Sequence, residues 1–168
     1  CKGKNDSSTS VGYSMKWQAI PIMSEHILFC DSITALGCDV VELYSNPNGN
    51  FPNHHPNPSD EKTLTDIKAE VVKTNADLGI AFDGDSDRIG VIDSEGNSMT
   101  GDKLLLIYAQ DVIENYAKIG QKPIIVSEVK CSQVLFDEIN RIGGEAVMCR
   151  TGHGYIKAKM KETGAVLA

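Results

Sequence analysis

The chain lacks any apolar run approaching the ~20 consecutive residues a helical membrane span requires. It also lacks the apolar segment of a secretory leader: its first residues are rich in Lys, Ser and Asn. Basic excess is missing, since 16 Lys and Arg against 23 Asp and Glu give a net charge of −7. That sign opposes non-specific attachment to nucleic acid or to anionic membranes, so neither is expected as a partner. Paired cysteines are missing as well. The five cysteines are odd in number and form no C-x-x-C pair, which argues against a zinc site and for reduced, buried thiols in a cytoplasmic compartment. No repeat of solenoid period is present. Nor is there an initiating Met: the chain opens with Cys1 and stops in the apolar run Ala165-Val166-Leu167-Ala168, so an internal piece of a longer protein is expected.

What is present suits a packed α/β protein. A hydrophobic content of 41% over 168 residues supports one ordinary domain or two small ones. Residues 1–24 show no clean period and are expected to be irregular or disordered. Apolar residues at helical spacing (Ile27, Leu28, Ile33, Leu36) predict a helix over 25–36, with Gly37 placed to end it. A short strand at 40–44 follows. Residues 46–58 hold four prolines and form a long loop. Ser59 or Asp60 can cap a helix to about residue 73, with Leu64, Ile67, Val71 and Val72 on one face. Strands are predicted at 78–82 and 89–92, with a turn at Ser94-Glu95-Gly96-Asn97. Beyond it, helices at 101–117, 132–142 and 154–161 alternate with strands at 123–126 and 146–149. The alternation predicts two three-layer α/β/α units with mixed, largely parallel sheets, both incomplete. The boundary falls near 97–100, dividing the chain into 1–24, 25–98 and 99–168.

The sequence Asp83-Gly84-Asp85-Ser86-Asp87-Arg88 follows an apolar strand directly. Ligands of open α/β sheets collect at the carboxyl ends of strands. Gly84 permits a sharp turn or a positive φ that lets three carboxylates converge. Two such charges ~4 Å apart repel by about 4 kcal/mol at an effective dielectric of 20. Three hard oxygen donors therefore suit Mg²⁺, and the Arg88 fork matches phosphate oxygens. A solvated acidic turn is the plainer alternative. An EF-hand-like Ca²⁺ loop fits poorly, because position six is Arg88, position twelve is Ser94 and a strand precedes the loop. His54 and His55 make a poor metal pair, since neighbours in an extended loop point opposite ways. Their loop is expected to support the cleft through hydrogen bonds from its Asn and His side chains.

Asp83 to Arg88 resembles the D-G-D-x-D-R metal loop of the alpha-D-phosphohexomutases. Upstream, Phe51-Pro52-Asn53-His54-His55-Pro56-Asn57-Pro58 is similar to the F-P-N-H-H-P-N-P segment of that family's phosphomannomutase/phosphoglucomutase branch. Downstream, Lys130-Cys131-Ser132 resembles its V-K-C-S/T segment and Thr151-Gly152-His153 its T-G-H segment. The four matches occur in the family's order and cover residues 36–168.

The resemblance implies a piece of a four-domain enzyme that moves a phosphoryl group between the C1 and C6 oxygens of a hexose. Transfer runs through a phosphoserine and a bisphosphorylated intermediate. It implies that Asp83, Asp85 and Asp87 hold Mg²⁺, and that Arg88, Lys130 and His153 are catalytic and substrate-binding residues. It further implies a hexose phosphate substrate, with domains 1 and 4 of the full chain as partners of this piece. No T-A-S-H-N-P-type serine segment occurs, and a G-E-x-S-G-H specificity loop is absent, so the piece alone is expected to lack turnover. The strand that opens domain 2 in the family is expected to be missing or degraded, leaving an exposed sheet edge. The alternatives are phosphoglucosamine mutase, a metal-dependent phosphatase of the haloacid-dehalogenase type, and a Ca²⁺-binding module.

Overall fold

The computed structural model describes residues 14–18, 25–44 and 48–168, with side chains from Phe29 onward. The chain divides into two compact units, Cys1–Met99 and Thr100–Ala168.

The first unit contains β1 (Ser14–Gln18), α1 (Glu25–Ala35), β2 (Asp39–Leu43), a 3-10 turn (Glu61–Leu64), α2 (Thr65–Thr74), β3 (Leu78–Phe82), β4 (Ile89–Asp93) and β5 (Ser98–Met99). The strand order is β2-β1-β3-β4-β5. β1 pairs in parallel with β2 and β3, whereas β3–β4 and β4–β5 are antiparallel, so this sheet is mixed. The expectation that residues 1–24 are irregular fails at 14–18, and with it the expected missing strand: β1 lies between β2 and β3 with both edges paired. Its sequence Ser-Met-Lys-Trp-Gln does alternate, but over five residues, and its partners lie 25 and 63 positions away. Only that long-range pairing identifies it. The remainder of 1–24 lies outside the described residues.

Helix α1 ends as expected at Gly37, whose φ of 89° no β-carbon favours. The N–H of Gly37 donates to Thr34 O and that of Cys38 to Ile33 O, which satisfies the last carbonyls of the helix. Leu36, expected on the apolar face, is 78% exposed because it lies past the final turn. On the far side of the loop, the Asp60 side chain accepts from Lys62 N at 3.0 Å and opens the 3-10 turn rather than one continuous helix. Val72 also departs from expectation and is exposed, while Leu64, Ile67 and Val71 are buried.

Strand β3 separates two cores. Leu78, Ile80 and Phe82 pack on Phe29, Cys30 and Ile33 of α1, and Phe82 meets the Phe29 ring edge-on at 5.6 Å. On the other face, Ala81 and Ile92 pack on Leu64, Ile67 and Val71. A helix on each face of one sheet is the three-layer arrangement, and a strand buried on both sides reads as a continuous apolar run. Each fully buried Ile or Val contributes roughly 1.5–3 kcal/mol. Gly79 lets α2 lie against the sheet: a β-carbon there would sit 2.7 Å from Val71 Cγ2 and 3.1 Å from Ile92 Cβ.

The second unit contains α3 (Gly101–Ala117), β6 (Ile124–Glu128), α4 (Gln133–Arg141), β7 (Glu145–Cys149) and α5 (His153–Thr163). β6 and β7 are parallel, and Leu167 bridges in parallel to Ile125 on the other edge of β6. Ala109 and Ile113 of α3 and Leu135 and Ile139 of α4 form one core with Ile125. Ser132 caps α4 through its side chain, which accepts from Val134 N.

Of the cysteines, Cys30, Cys38, Cys131 and Cys149 are free; Cys30 and Cys149 are buried and the other two half-buried. Burial pushes the Cys30 thiol up to about 11, with the charges of Glu42 and Asp31 adding to it, so this thiol is protonated and inert at neutral pH. Cys1 lies outside the described residues. Among the described residues no helix is long and apolar enough to cross a membrane.

Gly79→Val is expected to destabilise the first unit by about 1–3 kcal/mol, because Val71 and Ile92 leave its side chain no room. A lowered midpoint of urea unfolding at unchanged m-value checks this.

Candidate metal and phosphate site

The acidic turn closes the β3–β4 hairpin. Phe82 and Ile89 are paired across the ladder, so residues 83–88 must reverse the chain between them. Asp83 is 1% exposed, next along the strand after Phe82. Its backbone N–H donates to Arg88 O at 3.3 Å, and its Oδ1 accepts from Arg88 N at 3.0 Å. Its Oδ2 accepts from Arg88 Nε at 2.6 Å. One residue at each end of the turn thus locks the other. Ser86 N–H completes the turn by donating to Asp83 O. The positive φ lies at Ser86 (59°) and not at Gly84, for which a sharp turn or a positive φ was the expectation. Left-handed geometry at a residue with a β-carbon costs about 1–2 kcal/mol.

The turn brings the three expected aspartates together. Asp83, Asp85 and Asp87 each offer a carboxylate oxygen within 4.8 Å of the others, the first buried and the other two exposed. Three carboxylates against one guanidinium leave an excess of two negative charges. The electrostatics record this. Burial drives the Asp83 carboxyl upward, but hydrogen bonds from the Arg88 backbone and guanidinium, with that cation's charge, outweigh it and hold the group below the usual carboxylate range. Asp87 moves the other way, raised first by the charge of Asp85 and then by its hydrogen bond with Asp83. Arg88 is held further above its ordinary value, mainly by the Asp83 hydrogen bond.

This donor set fits a hard divalent cation: every donor is oxygen, the oxygens converge, and the negative charge is under-compensated. Carboxylate oxygens carry two lone pairs each, so hydrogen bonding to Arg88 does not exhaust Asp83. The same bonds argue against Asp83 as a nucleophile of the dehalogenase type, because both its oxygens are already engaged and it is buried. A hairpin without flanking helices likewise departs from an EF-hand. Arg88 spends its Nε on Asp83, and its terminal nitrogens make no hydrogen bond among the described residues.

A cleft of about 340 Å³ opens beside the turn, lined by Phe51, His55, Pro56, Asp83, Gly84, Asp85 and Arg88. The sequence identified the 51–58 loop only as a support. It is indeed fastened: Pro58 lies against Gly90 of β4, where a β-carbon would come within 2.9 Å of Pro58 O. Thr63 Oγ1 donates to Asn57 O at 2.6 Å, and Asn57 Oδ1 accepts from Ser59 N. That Phe51 and His55 line the cleft itself had no signal in composition or spacing, since it depends on how the loop folds back.

Lys130 and His153 belong to the second unit. Lys130 is exposed in the turn after β6, and His153 is exposed as the first residue of α5, after β7. Glu128 and Cys149 are paired, and Val129 N donates to Cys149 O at 2.8 Å, so both turns leave the same end of this sheet. Gly152 (φ 125°) permits the reversal into α5, and the ring of Tyr155 packs down on it. The guanidinium of Arg150 stacks 3.1 Å over that ring. The sequence reading missed this pair, although Arg150 and Tyr155 flank the T-G-H segment.

Comparison with known proteins gives a consistent likeness. Residues 25–96 match "Phosphoglucomutase/phosphomannomutase, alpha/beta/alpha domain II", and residues 100–168 match domain III of the same family. A phosphomannomutase/phosphoglucomutase of Pseudomonas aeruginosa is 48% identical over 136 residues, which are 81% of this chain and 28% of that protein. A phosphoglucomutase of Neisseria gonorrhoeae is 44% identical over 133 residues, 79% of this chain and 28% of that protein. A crystal structure of a phosphoglucomutase/phosphomannomutase family protein from Burkholderia thailandensis superposes with a TM-score of 0.81 at 37% identity, covering 90% of this chain and 32% of that one. The chain therefore spans under a third of the length of each of these three relatives.

Asp85→Asn removes the charge that acts most strongly on Asp87. In chelator-treated protein the variant is expected to melt above the wild type. The wild type is expected to gain an upward shift on the order of 10 °C at a hundredfold excess of a divalent cation over its Kd, and the variant to lose it. Thermal unfolding followed by circular dichroism measures both.

Proposed function

The chain belongs to the phosphoglucomutase/phosphomannomutase family, and from that premise we propose that it forms the metal-binding and part of the sugar-binding machinery of a mutase interconverting hexose 1-phosphate and hexose 6-phosphate. The observation that carries this reading is the convergence of Asp83, Asp85 and Asp87 on one hairpin turn, with Arg88 anchored by its Nε and its terminal nitrogens without a hydrogen bond among the described residues.

Asp83, Asp85 and Asp87 would hold Mg²⁺. When bound, the ion supplies positive charge against the negative charge that develops on a transferring phosphoryl group. The residues of the chain do the rest. Arg88, its side chain aligned by Asp83, donates its terminal N–H groups to phosphoryl oxygens at the cleft. Because Asp83 is buried and doubly bonded to Arg88, this cation is oriented before any ligand arrives, and little is lost in ordering it. Lys130 and His153, leaving one end of the second sheet, bind the sugar phosphate. Lys130 places a cation near the reacting oxygen, and His153 supplies a donor or acceptor according to its protonation. Domains beyond this chain would contribute the phosphoserine, as the resemblance implies.

The test uses the complete protein that contains this chain, assayed for conversion of glucose 1-phosphate to glucose 6-phosphate with Mg²⁺. Asp85→Asn is expected to lower kcat by about 10²–10³-fold, the scale on which one electrostatic stabiliser acts. Wild-type turnover that survives in this variant with unchanged Mg²⁺ dependence would remove the metal role assigned to the acidic turn.

A further inference from the structure

The two neighbouring histidines of the 51–58 loop have different surroundings. His54 is half-buried: its ring meets the edge of Tyr44 at 5.9 Å, and its Nδ1 lies 3.1 Å from His55 O. His55 is exposed and lines the cleft together with Asp83, Asp85 and Arg88. Its imidazole makes no hydrogen bond among the described residues, and its only ring contact there is Phe51, edge-on at 6.0 Å.

The backbone around His55 is held more firmly than an idle surface residue requires. Pro56 follows it and biases it to extended geometry. The carbonyl of His55 accepts from Asn57 N at 3.0 Å, Pro56 and Pro58 are buried, and Pro58 seats the loop against Gly90 of the hairpin. Phe51, whose ring braces His55, has a φ of 47°, a strained value for a bulky residue. Strain of this kind persists where surrounding structure over-determines it.

The cleft has carboxylates in excess and few donors. Among the described residues Arg88 is the one cation lining it, and part of that guanidinium is committed to Asp83. An imidazole keeps at least one N–H in every protonation state, so it can always donate. We propose that His55 is a ligand-contacting residue of this cleft, its ring N–H donating to an oxygen of the phosphoryl group bound at the acidic turn. This rests on the mutase reading and adds to it a donor from a different loop, braced by Phe51.

The experiment compares His55→Ala, His55→Gln and His54→Ala in the complete protein, with glucose 1-phosphate as substrate. His55→Ala is expected to lower kcat/KM by about 10- to 100-fold, the range for one hydrogen bond to a charged group, at unchanged melting temperature and Mg²⁺ activation. His55→Gln, which keeps an N–H donor, is expected to recover part of the loss. A change under twofold in His55→Ala overturns the proposal. So does an equal loss in His54→Ala, which would mark loop packing rather than contact. If the wild-type protein does not turn over glucose 1-phosphate, the mutase reading fails by itself. His55 is then judged by calorimetric binding of inorganic phosphate in the presence of Mg²⁺. Weakening of about tenfold or more in His55→Ala supports the contact, and equal affinity overturns it.

Discussion

The buried carboxylate of Asp83 is the constraint on which the site depends. It takes two hydrogen bonds from Arg88, one from the backbone and one from the guanidinium, and so closes the β3–β4 hairpin at both ends. A carboxylate at 1% exposure is costly unless its charge is matched, and Arg88 matches it. With the ends of the turn locked, residues 84–87 have few conformations left. Asp85 and Asp87 are thereby held close to Asp83 and to each other. Their mutual repulsion, visible in the raised pKa of Asp87, is sustained by the hairpin ladder and not by any attraction within the trio.

Topology then decides what surrounds the turn. β2 and β3 are both parallel to β1, so their carboxyl ends lie at the same edge of the sheet. Tyr44 follows β2 at that edge and the acidic turn leaves β3 there, and the cleft is lined by residues of the 51–58 loop together with that turn. The second unit repeats the logic with two strands. β6 and β7 are parallel, so the turns bearing Lys130 and His153 leave the same end. Packing reinforces each arrangement: Gly79 admits α2 to the first sheet, and Gly90 admits Pro58 to β4. In both places the absent β-carbon sets a distance between layers that a larger residue would lengthen.

Much of this was legible from residues alone. The acidic turn, its position after a buried strand, the helix stop at Gly37 and the cap at Asp60 each have a local cause, and each is found where its sequence places it. The misses have a common physical origin. β1 is five residues of weak alternation, identified only by partners far along the chain. Leu36 and Val72 fit a helical period but fall outside the buried arc, because the register of a helix on its sheet is a packing result. The left-handed residue of the acidic turn is Ser86, since the hairpin ladder imposes its conformation in spite of the local cost.

The amino-acid sequence by itself determined the chemistry available: three carboxylates and an arginine at a strand's exit, and segments that place the chain in its family. Side-chain identity and short-range spacing carry that information without reference to distant residues. Only the tertiary structure decided that Asp83 is buried and bonded twice to Arg88, and that His54 is packed against Tyr44 while His55 lines the cleft. Those outcomes follow from strand pairing and loop packing between residues far apart in the chain, interactions that no local window of sequence contains.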